Sequence, residues 1–243
     1  CILAAVPVNR FILNRTGWVQ VGAATLLVVI AVVTLLLTPE GEEPMLRRWV
    51  GFFFLILLAA YMYVTYVWAK QGGEAMSDDD EEPEALMSLT RSWILVGGGL
   101  FLVVLGARVL VPAAAEIAQR FGVPEDVIAA TMVAFGTSLP ELMTAIAAVR
   151  KGHPEITVGN IVGADVLNVL FVIGAAAAAA PLAIPANFFY FHFPAMLIIL
   201  FSFRVFISMN KDGVFHRWQG MWLLGVYGGY IFLQYALNIG AAH

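Results

Sequence analysis

The sequence predicts an all-α fold, a polytopic transmembrane helical bundle. Hydrophobic residues make up 61% of the 243 residues and charged residues only 12%, with a mean hydropathy of +0.86. This composition lies far from that of a soluble domain. A helix that spans a bilayer needs about 20 mostly apolar residues. Seven stretches reach that length, the last of them softer and rich in Trp and Tyr: 17–38, 48–69, 92–111, 124–150, 155–182, 187–208 and 218–238. We therefore expect an integral, multi-pass membrane protein.

The first residues suggest that the chain continues a longer protein. It begins at Cys1 inside an apolar stretch, 1–13, which is too short to span a membrane. A signal peptide would show a charged start and a small-residue cleavage site, and neither is evident. We therefore expect an N-terminally incomplete chain. Cys1 is the single cysteine, so an intrachain disulfide is impossible.

A polar linker over 71–90 separates two groups of predicted spans. It contains Gly72-Gly73 and the acidic run Asp78–Glu84, broken only by Pro83. The run predicts a flexible connector; a weak regulatory site for a divalent cation is the alternative, although the spacing of an EF-hand loop is missing.

The distribution of Lys and Arg predicts the orientation in the membrane. If the sides alternate from span to span, only Arg47, Arg48 and Arg120 fall on one side. The other side receives Arg10, Arg15, Lys70, Arg91, Arg150, Lys151, Arg204, Lys211 and Arg217. We therefore expect the acidic linker to be cytoplasmic.

The most informative motif is Gly136-Thr137-Ser138-Leu139-Pro140-Glu141. Glu141 is the only ionisable side chain between Val127 and Val149. An acid at membrane depth is costly, and it marks an ion or proton pathway by default. A proline beside that acid frees backbone carbonyls, as in the broken helices that form cation sites in transporters.

A second motif with small and polar residues at mid-span is Gly159-Asn160-Ile161-Val162-Gly163-Ala164-Asp165-Val166-Leu167-Asn168. Its glycines predict a kink or a close approach between helices, so we expect a second broken helix. The two motifs together offer the oxygens of Thr137, Ser138, Asn160, Asn168 and Glu141. Hard cations such as Na⁺ and Ca²⁺ prefer such ligands, and the lack of Cys and His argues against a soft metal.

These motifs resemble a known family. The stretch from Gly106 to Gly174 resembles the α-repeat of the Ca²⁺/cation antiporter superfamily, most closely its sodium/calcium exchanger branch. The resemblance is carried by Gly136–Glu141, Gly159–Gly163 and Asn168, with Met132–Phe135 and Arg150-Lys151-Gly152 in support.

The resemblance implies a fold of ten helices in two inverted five-helix repeats. Residues 1–70 would then be the incomplete end of the first repeat and 71–90 the cytoplasmic linker. Residues 91–243 would be the complete second repeat.

The resemblance also implies roles for individual residues. Glu141 matches the glutamate that coordinates Ca²⁺ and Na⁺, Thr137 and Ser138 match hydroxyl or carbonyl ligands, and Asn168 matches a site Asn or Asp. Two positions depart from the family pattern: Ala164 replaces the usual Ser, and Asp165 replaces a commonly neutral residue.

Alternatives stay open at five positions. Asp165 is either a ligand or proton carrier, or a structural acid bonded to helix-end amides. Asn160 and Asn168 are each either a ligand or an interhelical packing residue. The hydroxyls of Thr137 and Ser138 could instead bond to the preceding turn.

The expected function is that of a secondary antiporter, not an enzyme, which exchanges Ca²⁺ for Na⁺ by alternating access in a plasma or inner membrane. The expected partners are Ca²⁺, Na⁺ or H⁺ and the lipid bilayer, without a cofactor or nucleic acid. The missing first repeat or a partner subunit would complete the site. The alternatives are proton- or K⁺-coupled exchange on the same fold and a half-transporter or non-transporting membrane protein.

Overall fold

A computed structural model describes residues 6–7, 10–75, 88–120, 122, 128, 134–153, 155–210 and 214–237, and nearly all of these are helical. The helices are α1 (Arg10–Leu37), α2 (Arg48–Ala75), α3 (Leu89–Arg120), α4 (Ala134–Thr137), α5 (Leu139–Arg150), α6 (Glu155–Leu167), α7 (Gly174–Ala179), α8 (Phe193–Met209) and α9 (Arg217–Ala236). Two π-helical segments, Asn168–Ile173 and Phe188–His192, precede α7 and α8.

Five stretches among the described residues are long and apolar enough to cross a membrane. They are Arg15–Leu37, Arg48–Trp68, Trp93–Ile117, Ile156–Ala179 and Phe188–Met209. They confirm five of the seven predicted spans. The predicted span 124–150 lies partly outside the described residues, and its described part forms two short helices. The predicted span 218–238 forms α9, which is helical as expected but not among the five.

The third span is longer than the sequence predicted. We expected it to end at 111, before Pro112, whereas α3 continues through Pro112 to Arg120. Proline is tolerated inside membrane-type helices because neighbouring groups can satisfy the freed carbonyl. The predicted linker is shortened accordingly, since α2 extends to Ala75 and α3 begins at Leu89. The acidic run Asp78–Glu84 lies outside the described residues.

The chain divides into two compact units that cut across the predicted segments. One unit comprises Cys1–Gln71 with Ala148–Tyr230, and the other comprises Gly72–Ala147 with Ile231–His243. In the first unit, α1 packs against both α6 and α8. Ala23, Leu27 and Ala31 of α1 share a buried cluster with Phe54 of α2 and Val166 of α6. Residues assigned to the predicted first and second repeats thus share one buried apolar cluster.

Helices α2 and α7 approach each other closely in the first unit. A Cβ atom added at Gly51 would lie 2.2 Å from the backbone nitrogen of Ala178 and 2.6 Å from the carbonyl oxygen of Gly174. Gly51 and Gly174 therefore permit this contact, since any larger residue at Gly51 would collide with backbone atoms. The small side chains of the alanine run 175–180 suit this close approach.

Two short antiparallel ladders place the turns of the first unit at opposite ends. Val6–Pro7 (β1) pairs with Val214–Phe215 (β4), so the start of α1 and the α8–α9 turn share one end. Met45–Leu46 (β2) pairs with Leu182–Ala183 (β3), so the α1–α2 and α7–α8 turns share the other. These two-residue ladders close turns and leave the fold all-α.

Candidate cation site

The first motif interrupts its helix at Ser138. Helix α4 ends at Thr137 and α5 begins at Leu139. The Ser138 N–H donates to the carbonyls of Ala134 and Phe135, at 3.1 and 3.2 Å, which tightens the turn. Pro140 has no N–H to offer the carbonyl of Gly136, four residues earlier. The break predicted at this motif is therefore present, and it leaves the Gly136 carbonyl without its usual helical N–H donor.

Glu141 lies in the first turn of α5 and is half-buried. Its Oε2 atom is buried and has no hydrogen-bond partner among the described residues. The Ser138–Glu141 spacing would suit a capping box, in which the glutamate bonds back to the serine N–H. Here that N–H already donates to the preceding turn, so the carboxylate is not drawn back. The N-terminus of α5 favours its negative charge.

Thr137 and Ser138 are both exposed. The Thr137 hydroxyl donates to the carbonyl of Ala134 at 2.9 Å, so the alternative of bonding to the preceding turn applies to this residue. A hydroxyl that donates its proton to a carbonyl still has oxygen lone pairs to offer a cation. The observed bond therefore fits either role for Thr137.

The second broken helix, expected in the span 155–182, departs from α-helical geometry at the last residue of its motif and not at the glycines. Helix α6 runs unbroken through Gly159 and Gly163, and the departure from α-helical geometry comes at the π-helical segment that starts at Asn168. No described heavy atom lies within 4 Å of a Cβ built at either glycine, so neither mediates a close helix contact in the described part. Glycine keeps its backbone N–H, so it does not force a break as proline does.

The three polar residues of the second motif face different surroundings. Asn168 is exposed at the start of the π-helical segment, a geometry often found at functional sites. Asp165 is half-buried three residues earlier, on a neighbouring part of the same helix face. Asn160 points about 140° away from Asp165 in a regular helix. The Asn160 Nδ2 atom is buried without a described partner, so it is not an interhelical donor to the described groups.

Sequence reasoning missed one residue of this region. The side-chain amide of Gln20, on α1, donates its Nε2–H to Oδ2 of Asp165. Gln20 is only 3% exposed. The signal in the sequence is an amide inside the apolar span 17–38.

The chemistry of the site residues is that of oxygen ligands. Among the described residues, no group of three or more His, Cys, Asp or Glu side chains could hold a metal ion. Glu141 belongs to one compact unit and Asp165 to the other, so the two halves of the predicted site are considered separately. Each half combines one acid with neutral oxygens, a mixture that suits Na⁺ or Ca²⁺.

An acid beside a broken helix in a multi-pass helical membrane protein is an arrangement that secondary cation transporters use. The family model described as sodium/calcium exchanger protein matches residues 91–236. The chain therefore belongs to the sodium/calcium exchanger family, a family of exchangers and not of enzymes. The predicted resemblance to the Ca²⁺/cation antiporters is confirmed.

Three relatives illustrate this membership. The chain is 33% identical over 129 residues to the sodium/calcium exchanger MaX1 of Methanosarcina acetivorans, covering 53% of this chain and 36% of that protein. It is 35% identical over 145 residues to the inner membrane protein YrbG of Escherichia coli, covering 57% and 44%. It is 32% identical over 190 residues to the membrane protein MJ0091 of Methanocaldococcus jannaschii, covering 74% and 56%. The chain thus spans between 36% and 56% of the length of these relatives.

Solved structures support the fold. The chain aligns with a structure of the sodium-calcium exchanger NCX_Mj, soaked with Na⁺ and Sr²⁺, with a TM-score of 0.67 and 25% identity. The alignment covers 93% of this chain and 67% of the exchanger. The predicted class, an all-α multi-pass membrane protein with the exchanger fold, is confirmed.

Proposed function

We propose that this chain forms part of a secondary antiporter that exchanges Ca²⁺ for Na⁺ by alternating access. One observation carries the proposal. Glu141 lies beside the break at Ser138, and its buried Oε2 atom has no hydrogen-bond partner among the described residues. Glu141 is the central cation ligand. Thr137, Ser138 and Asn168 complete this repeat's share of the site.

The physical reason for exchange lies in the cost of a buried charge. An acid without a counter-ion is expensive inside a membrane protein, and a bound cation removes that cost. Either one Ca²⁺ or several monovalent ions neutralise the acids. Only the neutralised site then crosses between the inward-open and outward-open states.

The proposed orientation places the linker 71–90 and the Arg150-Lys151 turn in the cytoplasm, with the protein in the plasma or inner membrane. The bias of Lys and Arg supports this sidedness. The ladder between Val6–Pro7 and Val214–Phe215 is consistent with it, because it brings together two turns that the bias assigns to the same side.

The test is Ca²⁺ flux by the complete protein in everted vesicles, with the Glu141→Gln variant compared with Glu116→Gln. Glu116 is an exposed acid in the same unit, paired with Arg120 at 2.6 Å, and serves as the matched control. We expect Glu141→Gln to lower Na⁺-driven Ca²⁺ uptake at least a hundredfold, since it removes the only charge of the first motif, about 2.7 kcal/mol or more. Glu116→Gln should leave uptake unchanged. Normal uptake by Glu141→Gln would remove this residue from the site.

A second candidate is proton- or K⁺-coupled exchange on the same fold. It is favoured by the acid Asp165, held by Gln20, at a position where the resemblance implies a neutral residue. Ca²⁺ uptake driven by a proton gradient in sodium-free buffer would select proton coupling. Uptake that requires both Na⁺ and K⁺ would select the K⁺-dependent form.

A half-transporter or non-transporting membrane protein is the remaining candidate. In that case the first-repeat half of the site would come from a partner subunit. The absence of cation flux when the chain is expressed alone, and its appearance on co-expression with the partner, would select this possibility.

A further inference from the structure

Gln20 is a buried polar residue in a mainly apolar interface. It lies on α1, within the span Arg15–Leu37, and is 3% exposed. Its neighbours on the same helix, Val21, Ala23 and Ala24, are buried and apolar. Burial of an amide is costly unless its donors are used, so this side chain needs a reason to be there.

The reason visible in the structure is the acid on the facing helix. The Gln20 Nε2–H donates to Oδ2 of Asp165, and the two residues are 145 apart in sequence. Helices α1 and α6 pack against each other, and the flanking residues Val162 and Val166 of α6 are 1% and 0% exposed. A hydrogen bond to a carboxylate is strengthened in such an apolar setting.

The chemistry of an amide partner differs from that of a basic one. An Arg or Lys at this place would neutralise Asp165, whereas an amide donor orients the carboxylate and leaves its negative charge intact. Asp165 lies three residues before Asn168, so a fixed Asp165 also fixes the helix face that carries the candidate ligand Asn168. Gln20 can therefore set geometry without cancelling charge.

We infer that Gln20 is a positioning residue of the cation site: its amide, supplied by α1, orients the Asp165 carboxylate and so sets the affinity for the divalent cation. This inference rests on the proposed function. It assigns a role to the segment before the linker, where the sequence shows no exchanger motif.

The decisive variant is Gln20→Met in the complete protein, because methionine has nearly the same length and lacks the donor. We expect the KM for Ca²⁺ in Na⁺-driven uptake to rise about tenfold, the size expected for loss of a charge-assisted hydrogen bond. The maximal rate should change less than twofold. Gln20→Asn, which keeps the donor on a shorter side chain, should recover part of the affinity.

The matched control is Gln219→Met. Gln219 is fully buried in the same unit, and its amide exchanges two 2.8 Å hydrogen bonds with Asn210 in the α8–α9 turn. Gln219→Met should lower the unfolding temperature in detergent without changing the KM for Ca²⁺. A rise in KM with both variants would mean that buried glutamines act only through stability, and the inference would be overturned.

A double variant separates positioning from packing. If Gln20 acts through Asp165, Gln20→Met should add nothing to the KM of Asp165→Asn. An undiminished tenfold effect in the Asp165→Asn background would contradict the inference, as would an unchanged KM in Gln20→Met alone. If Gln20→Met does not accumulate in membranes, the same comparison is made with Gln20→Asn, whose KM must then rise in a manner that depends on Asp165. A wild-type protein without cation flux would overturn the proposed function and this inference together.

Discussion

The two polar motifs each contain one acid, and the structure treats the two acids differently. Glu141 follows a broken helix, and one of its carboxylate oxygens is buried without a described partner. Asp165 lies in an unbroken helix and accepts a hydrogen bond from Gln20. An acid that must bind and release a cation in every cycle cannot be held by strong permanent bonds. An acid that only shapes a site can be held by such bonds. This difference fits the proposal that Glu141 exchanges the cation while Gln20 orients Asp165.

We call residues 134–150, around the first motif, the first region, and residues 155–179, around the second motif, the second region. The largest effect should come from the packing of α2 on α7, which holds the second region in place. In Gly51→Ala the new Cβ would lie 2.2 Å from the backbone nitrogen of Ala178, so α2 and α7 would have to separate. We expect a loss of stability of about 3 kcal/mol, at the upper end of overpacking costs because the colliding atoms belong to the backbone. The measurement is the temperature at which the detergent-solubilised protein loses its monodisperse elution.

The matched control for that variant is Gly22→Ala on α1, where no described heavy atom lies within 4 Å of the added Cβ. It should elute as the wild type does at every temperature. Equal heat resistance of Gly51→Ala and Gly22→Ala would show that the second region is not held by the α2–α7 contact.

The next effect concerns the break in the first region. Pro140→Ala restores an N–H that can bond to the carbonyl of Gly136, so α4 and α5 should join into a continuous helix. We expect the KM for Ca²⁺ in the complete protein to rise about tenfold, because a carbonyl used inside a helix is no longer free to face a cation. Initial rates of Na⁺-driven Ca²⁺ uptake over a range of Ca²⁺ concentrations measure this.

Pro112→Ala is the control for the proline variant, since Pro112 also lies inside a helix of the same unit. Removing it should leave the KM for Ca²⁺ unchanged. If both proline variants behaved like the wild type, the break at Ser138 would have no part in cation binding.

The sequence predicted the first region better than the second, and the reason is physical. Glu141 is a lone charge in an apolar span, and Pro140 removes a backbone donor, so both signals can be read locally. The second interruption comes at Asn168 and not at Gly159 or Gly163, because glycine retains its N–H and α6 stays helical there. Nothing in the local pattern marked the π-helical segment at Asn168.

The role of Gln20 was not predicted because it depends on a contact between residues far apart in the sequence. Gln20 and Asp165 meet across 145 residues, and no periodicity within one span reveals which helix will face it. Gln20 also lies close to the start of its span, where a polar residue is unremarkable on sequence grounds. Helix existence could therefore be predicted from composition, whereas the partner of a buried acid required the packing of α1 on α6.

The smallest effect should distinguish two threonines in the first region. The hydroxyls of Thr137 and Thr144 both donate to the carbonyl of a preceding turn, Ala134 at 2.9 Å and Pro140 at 2.8 Å. They differ in that Thr137 lies before the break and Thr144 after it. We expect Thr137→Val to raise the KM for Ca²⁺ about threefold to tenfold, as one neutral oxygen ligand is lost, and Thr144→Val to leave it unchanged. Each valine removes an equivalent internal hydrogen bond. Equal KM values in the two variants would therefore mean that Thr137 only bonds to its own helix and is not a ligand of the cation beside Glu141.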